Sequence, residues 1–271
     1  RDLHYPLRRQ RQMCIRDRSI SSQENVQYQK PSKEILDLVE FERPPSILYD
    51  ENKNFMLFLF RDNYKSIAEL SAKELRLGGL RIDPKTNIGS RVTYYNNVKI
   101  RNLKNQKSEI TQVKGLPKNP KLSNISWSPD QKRIALTNTT ETGVELWVLE
   151  LENGSVTKLT ESNLNSNIGS VINWFSDSEN MLVKIISNNR RPLIDTNKIV
   201  PDGPTLSTNF GEIAQNRTYQ DLLNNKFDEH NFEQLSTSTI YKVSIDGSVK
   251  KWMDDGTVSY THLTLPTKRI V

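Results

Sequence analysis

One short pattern occurs twice, and it limits the fold more than any other feature of the chain. Ile125-Ser126-Trp127, then Ser128-Pro129-Asp130-Gln131, then a run from Arg133 onward reads as strand, tight turn, strand. Ile172-Asn173-Trp174-Phe175, Ser176-Asp177-Ser178-Glu179 and Met181 to Ile186 repeat that order, with Trp127 and Trp174 47 residues apart. Pro129 presets φ in the turn and cannot continue a ladder, so the chain reverses there. Arg133 to Asn138 sets Ile134, Leu136 and Asn138 on one face by period two. Val144 to Leu151 supplies a third strand, and Asn153-Gly154 turns it into a fourth, Ser155 to Leu159. Ile125 to Leu159 is therefore one uninterrupted four-stranded meander. Its open edges require neighbours, and a repeat of this length is that of β-propeller blades.

The flanks carry further blades, each interrupted. Ser32 to Glu40 reads as a short helix with Ile35, Leu36 and Val39 in a stripe, and Pro44-Pro45 ends it. Ser46 to Asp50, a turn at Glu51-Asn52-Lys53-Asn54, and Phe55 to Arg61 repeat the opening of a blade. The run Phe55 to Phe60 is apolar on both faces, as expected between two neighbours. Ser66-Ile67-Ala68-Glu69 is a capping box predicting a helix through about Arg76, closed by Gly78-Gly79. Strands follow at roughly Thr93 to Leu103 and Glu109 to Val113. The third unit is broken over 188–235, where Thr218 is expected to cap a helix from Tyr219 to Asn225, and Asp228 a turn through Gln234. Thr239 to Ile245 and Val249 to Trp252, joined at Asp246-Gly247, complete it. The expected fold is all-β: a partial β-propeller of about three four-stranded blades with helical insertions. The propeller spans 46–257 after an N-terminal segment at 19–45. Its blades cover about 46–116, 122–160 and 171–253, with the insertion 188–235 inside the last.

The net charge of +6 suggests an anionic partner only until the charges are located. Six arginines within 1–18, with Lys268 and Arg269, are eight of the 38 basic side chains, and Asp2 and Asp17 are two of the 32 acidic ones. Residues 19–257 thus hold 30 of each, which argues against a nucleic-acid partner. The two ends, 1–18 and 258–271, read as non-native, adapter-like tails. One short DNA segment, translated in opposite orientations, encodes both Met13 to Arg18 and Val258 to His262, and it resembles the transposon end ligated to fragments in sequencing libraries. Setting them aside removes Cys14, the sole cysteine, and two of three histidines. No disulfide, thiol nucleophile or zinc knuckle is then expected, and no run is long enough to span a membrane.

Several stretches together resemble one family. They are YQKPSKEILDLV (28–39), RDNYKSIAEL (61–70), LGGLRIDPKTNIGSR (77–91), WSPDQKRIAL (127–136), IVPDGPTLSTN (199–209) and NRTYQDLLNNKFDEHNFEQLSTS (216–238). They are similar to the N-terminal propeller of prolyl oligopeptidase family serine peptidases, in the glutamyl endopeptidase branch. The resemblance implies a propeller that gates peptide substrates to a C-terminal α/β-hydrolase domain, which cleaves after glutamate by a Ser-Asp-His triad with the nucleophile on a G-x-S-x-G elbow. It also implies a periplasmic or extracellular setting and no cofactor. No G-x-S-x-G occurs here, and His230 is the one histidine outside the tails, so no catalytic residue is expected in this chain. The fragment itself is expected to be inactive. The alternative is a standalone propeller binding module, like the translocation-associated propellers of the periplasm.

Within the insertion that resembles the family's own, Arg190, Arg191 and Arg217 are the candidates for substrate binding. Selecting a glutamate side chain needs a fixed cation for bidentate carboxylate recognition. His230, between Asp228-Glu229 and Asn231, lacks the ligand spacing of a zinc site and reads as a solvated helix residue. Trp127, Trp147, Trp174 and Trp252 read as interblade packing rather than a sugar-stacking platform. Asp177, Glu179, Asp254 and Asp255 sit in turn chemistry, and Gly78-Gly79 reads as a helix stop rather than a phosphate cradle.

Overall fold

A computed structural model describes residues 30–105, 107–195, 198, 199, 203, 211 and 221–257. Two compact units divide the chain, residues 1–41 and 42–271. The first contributes helix α1, Lys33–Val39; Ser32 stands at its N-cap without a side-chain hydrogen bond, and none of its residues is buried.

The second unit is built on three antiparallel sheets of four strands each. Blade I takes β1 (Ser46–Tyr49), β2 (Phe55–Phe60), β6 (Asn97–Asn102) and β7 (Thr111–Gln112), in that spatial order. Between β2 and β6 lie helix α2 (Ile67–Leu70) and a separate sheet of β3 (Leu75–Leu77), β4 (Leu80–Asp83) and β5 (Ile88–Gly89). Blade II takes β8 (Leu122–Trp127), β9 (Arg133–Thr139), β10 (Val144–Glu150) and β11 (Ser155–Lys158). Blade III takes β12 (Ile172–Trp174), β13 (Asn180–Ile186), β14 (Thr237–Ser244) and β15 (Val249–Thr257), with helix α3 (Lys226–Ser236) leading into β14.

The repeat seen in the sequence recurs at the level of single hydrogen bonds. Lys53, Gln131 and Ser178 occupy equivalent turn positions with φ of 54, 58 and 58°. Each amide donates three residues back, to Asp50 O, Ser128 O and Phe175 O. Non-glycine residues in that left-handed region are uncommon and cost on the order of 1 kcal/mol each. Three at matching places mark a geometry imposed by the blade. The turns are also bonded to one another. Glu51 N donates to Gln131 Oε1 at 3.3 Å, and Asp130 N to Ser178 Oγ at 3.0 Å. Trp174 Nε1 reaches Ser126 O at 3.2 Å across the same joint.

Packing follows from period two. On β9, Ile134 and Leu136 enter the core shared with Phe55, Leu57 and Leu59 of blade I. Ala135 faces the other way, with Leu146 and Val148, into the core shared with Met181, Val183 and Val243 of blade III. Blade II is thus buried on both faces. The outer blades are not: Ile47 and Tyr49 on β1 are 45% and 51% exposed, and Trp252 and Met253 on β15 are each 55% exposed. Three tryptophans pack between blades as expected, Trp127 and Trp147 on one core and Trp174 on the other. Trp252 instead stacks edge-on against Phe175 at 5.6 Å.

Two local expectations are corrected. The helix opened by the capping box at Ser66 and Glu69 ends after one turn, and Gly78-Gly79 is not a helix stop. With φ of 57° and 80° these glycines form the two-residue loop of the β3–β4 hairpin, in which Leu77 pairs with Leu80. The sequence carries both signals, and the strand-period pair Leu75/Leu77 with Leu80/Ile82 around two adjacent glycines outweighs a single capping box. In the second insertion, the cap of α3 is Asn225, whose side chain accepts from Phe227 N and Asp228 N. Asp228 lies inside the first turn. The helix expected at Tyr219 to Asn225 falls partly outside the described residues, and 221–225 are not helical. The two tails also lie outside them.

Candidate functional site

The two insertions, about 150 residues apart in sequence, meet. Leu77, Ile82 and Leu235 form a small buried core, closed by Leu75, Leu80, Leu193, Leu223 and Phe232. The fit is close at Gly78, where an added Cβ would stand 3.0 Å from Phe232 Cε2. Glycine is therefore favoured there twice, by its positive φ and by the nearness of the ring.

Charge brackets this core. Arg81, on β4, reaches Glu74 at 2.9 Å through one guanidinium nitrogen and Asp221 at 3.1 Å through another. Lys73 pairs with Asp195 at 3.5 Å. Ser90 Oγ donates to Glu74 Oε2. That bond first, and Arg81 second, hold the Glu74 carboxyl down at about 2, well below the ordinary range. On α3, Asn231 is 2% exposed and clasps both backbone groups of Ile194 at 2.8 Å. Gln234 Oε1 accepts from Arg191 N at 2.8 Å. The module is anchored to blade III through Asn165, whose Nδ2 donates to Leu235 O and Thr237 O. Ser166 N donates to Asn87 O at 2.9 Å beneath β5.

The predicted site arginines separate. Arg190 turns into the junction, where its guanidinium donates to Asn87 Oδ1. Burial pushes its pKa down, and among the described residues no carboxylate lies within ion-pairing distance of it. A half-buried cation without an anion is the electrostatic condition of a receptor for a carboxylate. Arg191 points outward and pairs with Glu233 at 3.6 Å between side chains 65% and 63% exposed, a contact worth little. Arg217 lies outside the described residues. His230 is partly exposed, its Nε2 3.1 Å from Pro192 O. Among the described residues no three metal-ligating side chains cluster, and no helix is long and apolar enough to cross a membrane. The asymmetry between Arg190 and Arg191 had no signal in the sequence, because it depends on a contact with Asn87 103 residues away.

The sheets define the class: this is a partial β-propeller of three four-stranded blades with helical insertions. No family model matches the chain. Over 235 residues it is 30% identical to "Probable glutamyl endopeptidase, chloroplastic" of Arabidopsis thaliana, covering 83% of this chain and 24% of that protein. To the rice protein of the same description (Oryza sativa subsp. japonica) it is 28% identical, covering 82% and 25%. The chain spans about a quarter of the length of these curated relatives. Among solved structures, Pyrococcus horikoshii acylaminoacyl peptidase matches at 18% identity and a TM-score of 0.35, over 79% of this chain and 26% of that one. The β-propeller domain of the Trilobed protease from Pyrococcus furiosus matches at 16% and 0.29, over 80% and 59%. Likenesses of that degree add nothing to the sheets themselves. The expected resemblance to glutamyl endopeptidases is borne out, at the level of sequence, across most of the chain.

Proposed function

We propose that these residues are the substrate-gating propeller of a serine endopeptidase that cleaves peptides after glutamate. The observation that carries this reading is the 30% identity over 83% of the chain to a plant glutamyl endopeptidase. In it, the acyl transfer is done by a triad on an α/β-hydrolase domain of the same polypeptide, outside these residues. The propeller contributes restriction and orientation: only a peptide or flexible segment that passes the insertions reaches the nucleophile. Arg190 supplies a fixed, partly desolvated cation for the glutamate carboxylate, with Arg191 and Arg217 as secondary contacts. Its place beside Asn87 supports that role, since among the described residues that neutral side chain is the partner of the guanidinium, which keeps its remaining donors for a ligand.

The test is the uninterrupted gene, expressed and assayed on peptides that differ only in Glu, Gln or Lys before the scissile bond. The expected result is cleavage after Glu, with Arg190→Met lowering kcat/KM for the Glu peptide by about 10- to 100-fold, as loss of a bidentate carboxylate contact does. A reading frame that ends without a G-x-S-x-G domain, or a product without Glu preference, overturns the reading and favours a standalone binding module.

A further inference from the structure

Arg190 is held from two directions. Its backbone belongs to the turn after β13, where Arg190 N donates to Ser187 O at 3.2 Å. Ser187 Oγ and Asn189 Nδ2 pin that turn to the Asp255 carboxylate on β15, at 2.6 and 2.9 Å. Its guanidinium crosses to the blade I insertion and donates through Nη1 to Asn87 Oδ1. The side chain therefore spans the junction with an anchor at each end. With Nη1 engaged, Nε and Nη2 form the remaining side-on pair, and among the described residues neither donates to a protein acceptor. That edge of a guanidinium takes a carboxylate in two parallel hydrogen bonds.

Asn87 is itself fixed. It stands just before β5 with φ of 58° and is 5% exposed. Asn87 N donates to Asp83 O, and Asn87 O accepts from Ser166 N, each at 2.9 Å. Its neighbour Ile88 is buried in the core shared by blades II and III. Asn and Asp are both favoured at a left-handed φ, so the backbone tolerates either. Only the carboxamide holds the guanidinium and leaves its charge unanswered. The carboxylate of the same turn is spent elsewhere: Asp83 accepts from Lys85 N at 2.9 Å and from Thr86 Oγ1 at 2.8 Å. An arginine serving purely as a strut would gain from an aspartate at this place, as Arg81 gains from Glu74 and Asp221.

We propose that Asn87 is a positioning residue for recognition of the substrate's glutamate side chain. It fixes Arg190 through one nitrogen, keeps the charge unpaired, and leaves the Nε–Nη2 edge to a single carboxylate. This inference rests on the reading of Arg190 as the glutamate receptor, and it assigns part of the selectivity to a neutral residue 103 positions away.

The test uses the full enzyme from the uninterrupted gene and compares kcat/KM for the Glu peptide over the Gln peptide. Asn87→Gly keeps the positive φ and withdraws the hold, and is expected to lower that ratio about fivefold. Asn87→Asp keeps the hold and answers the charge, and is expected to lower it about tenfold or more, with the loss in KM rather than kcat. Its melting temperature should be unchanged or raised. In an Arg190→Met background neither substitution should change the ratio further, which is the signature of action through the arginine. If Arg190→Met itself leaves the ratio unchanged, the glutamate-receptor reading falls and this inference falls with it. If Arg190→Met lowers the ratio while Asn87→Gly or Asn87→Asp does not, the inference alone is overturned. A loss that persists in the Arg190→Met background, or a melting temperature lowered by Asn87→Asp, also overturns it, since either marks a merely structural role.

Discussion

Blade II and the insertion module are built by opposite means. Blade II is an unbroken meander whose alternate residues fill two interblade cores, with Ile134, Ala135, Leu146 and Leu149 all fully buried. Among the described residues the module buries three apolar side chains, Leu77, Ile82 and Leu235, and the rest of its cohesion is directional: Arg81 between Glu74 and Asp221, and Asn231 on Ile194. The difference teaches where this protein keeps its stability and where it keeps its polar chemistry. Hydrophobic burial is non-directional and holds the scaffold. Hydrogen bonds and ion pairs are geometrically exacting and hold the insertion module.

That contrast can be broken at several points. The largest effects are expected in blade II. Leu146→Ala should destabilise the unit by about 3 kcal/mol, the usual loss for a fully buried leucine. Gly143→Ala should be comparable, because its Cβ would stand 2.1 Å from Ser162 O, a backbone atom that cannot swing aside. Denaturant melts should show both as one cooperative shift. Next, Gly78→Val should cost about 1–2 kcal/mol from its positive φ and the Phe232 contact. Hydrogen exchange should then rise in α3 and leave β9 and β10 protected; equal loosening of blade II would mean that the two regions are not separate.

Arg81→Met should cost about 1–3 kcal/mol, because it leaves two part-buried carboxylates facing each other, again seen first in module exchange. The smallest effect is acid-dependent. Glu74 titrates lower in the folded chain than unfolded, so its contribution is fully present above about pH 4.5 and fades as pH falls toward about 2. Exchange in β3 and β4 should rise over that window, and Ser90→Ala, by raising the folded-state value, should end the rise at a higher pH and make it smaller. A module insensitive to acid would place its cohesion in the apolar contacts instead.

The scaffold was largely legible in the sequence because its signals are local. A Trp-Ser-Pro-Asp turn, an alternating run and an Asn-Gly pair each act within a few residues, and β9 to β11 fall within two residues of the expected bounds. The first strand of blade II was read as starting at Ile125 but begins at Leu122, with a register shift between Ser123 and Ser126 and a positive φ at Asn124. A bulge breaks period two and so hides the strand's beginning. The candidate site was much less legible. Arg190 was singled out by its insertion, but its distinction from Arg191 depends on the Asn87 contact.

The meeting of the two insertions has a consequence for synthesis. Leu77 and Ile82 leave the ribosome about 150 residues before Phe232 and Leu235, which cover them. At about 5–20 residues per second, that delay is roughly 10–30 s. Throughout it the β3–β4 hairpin has no partner for its apolar side, although the blade that carries it has every strand it needs. Blade I is thus translated complete long before its insertion can be, and its surface stays sticky until blade III is nearly made. A nascent chain stalled anywhere between residues 90 and 225 should expose that hairpin to chaperones or to its neighbours on the same message.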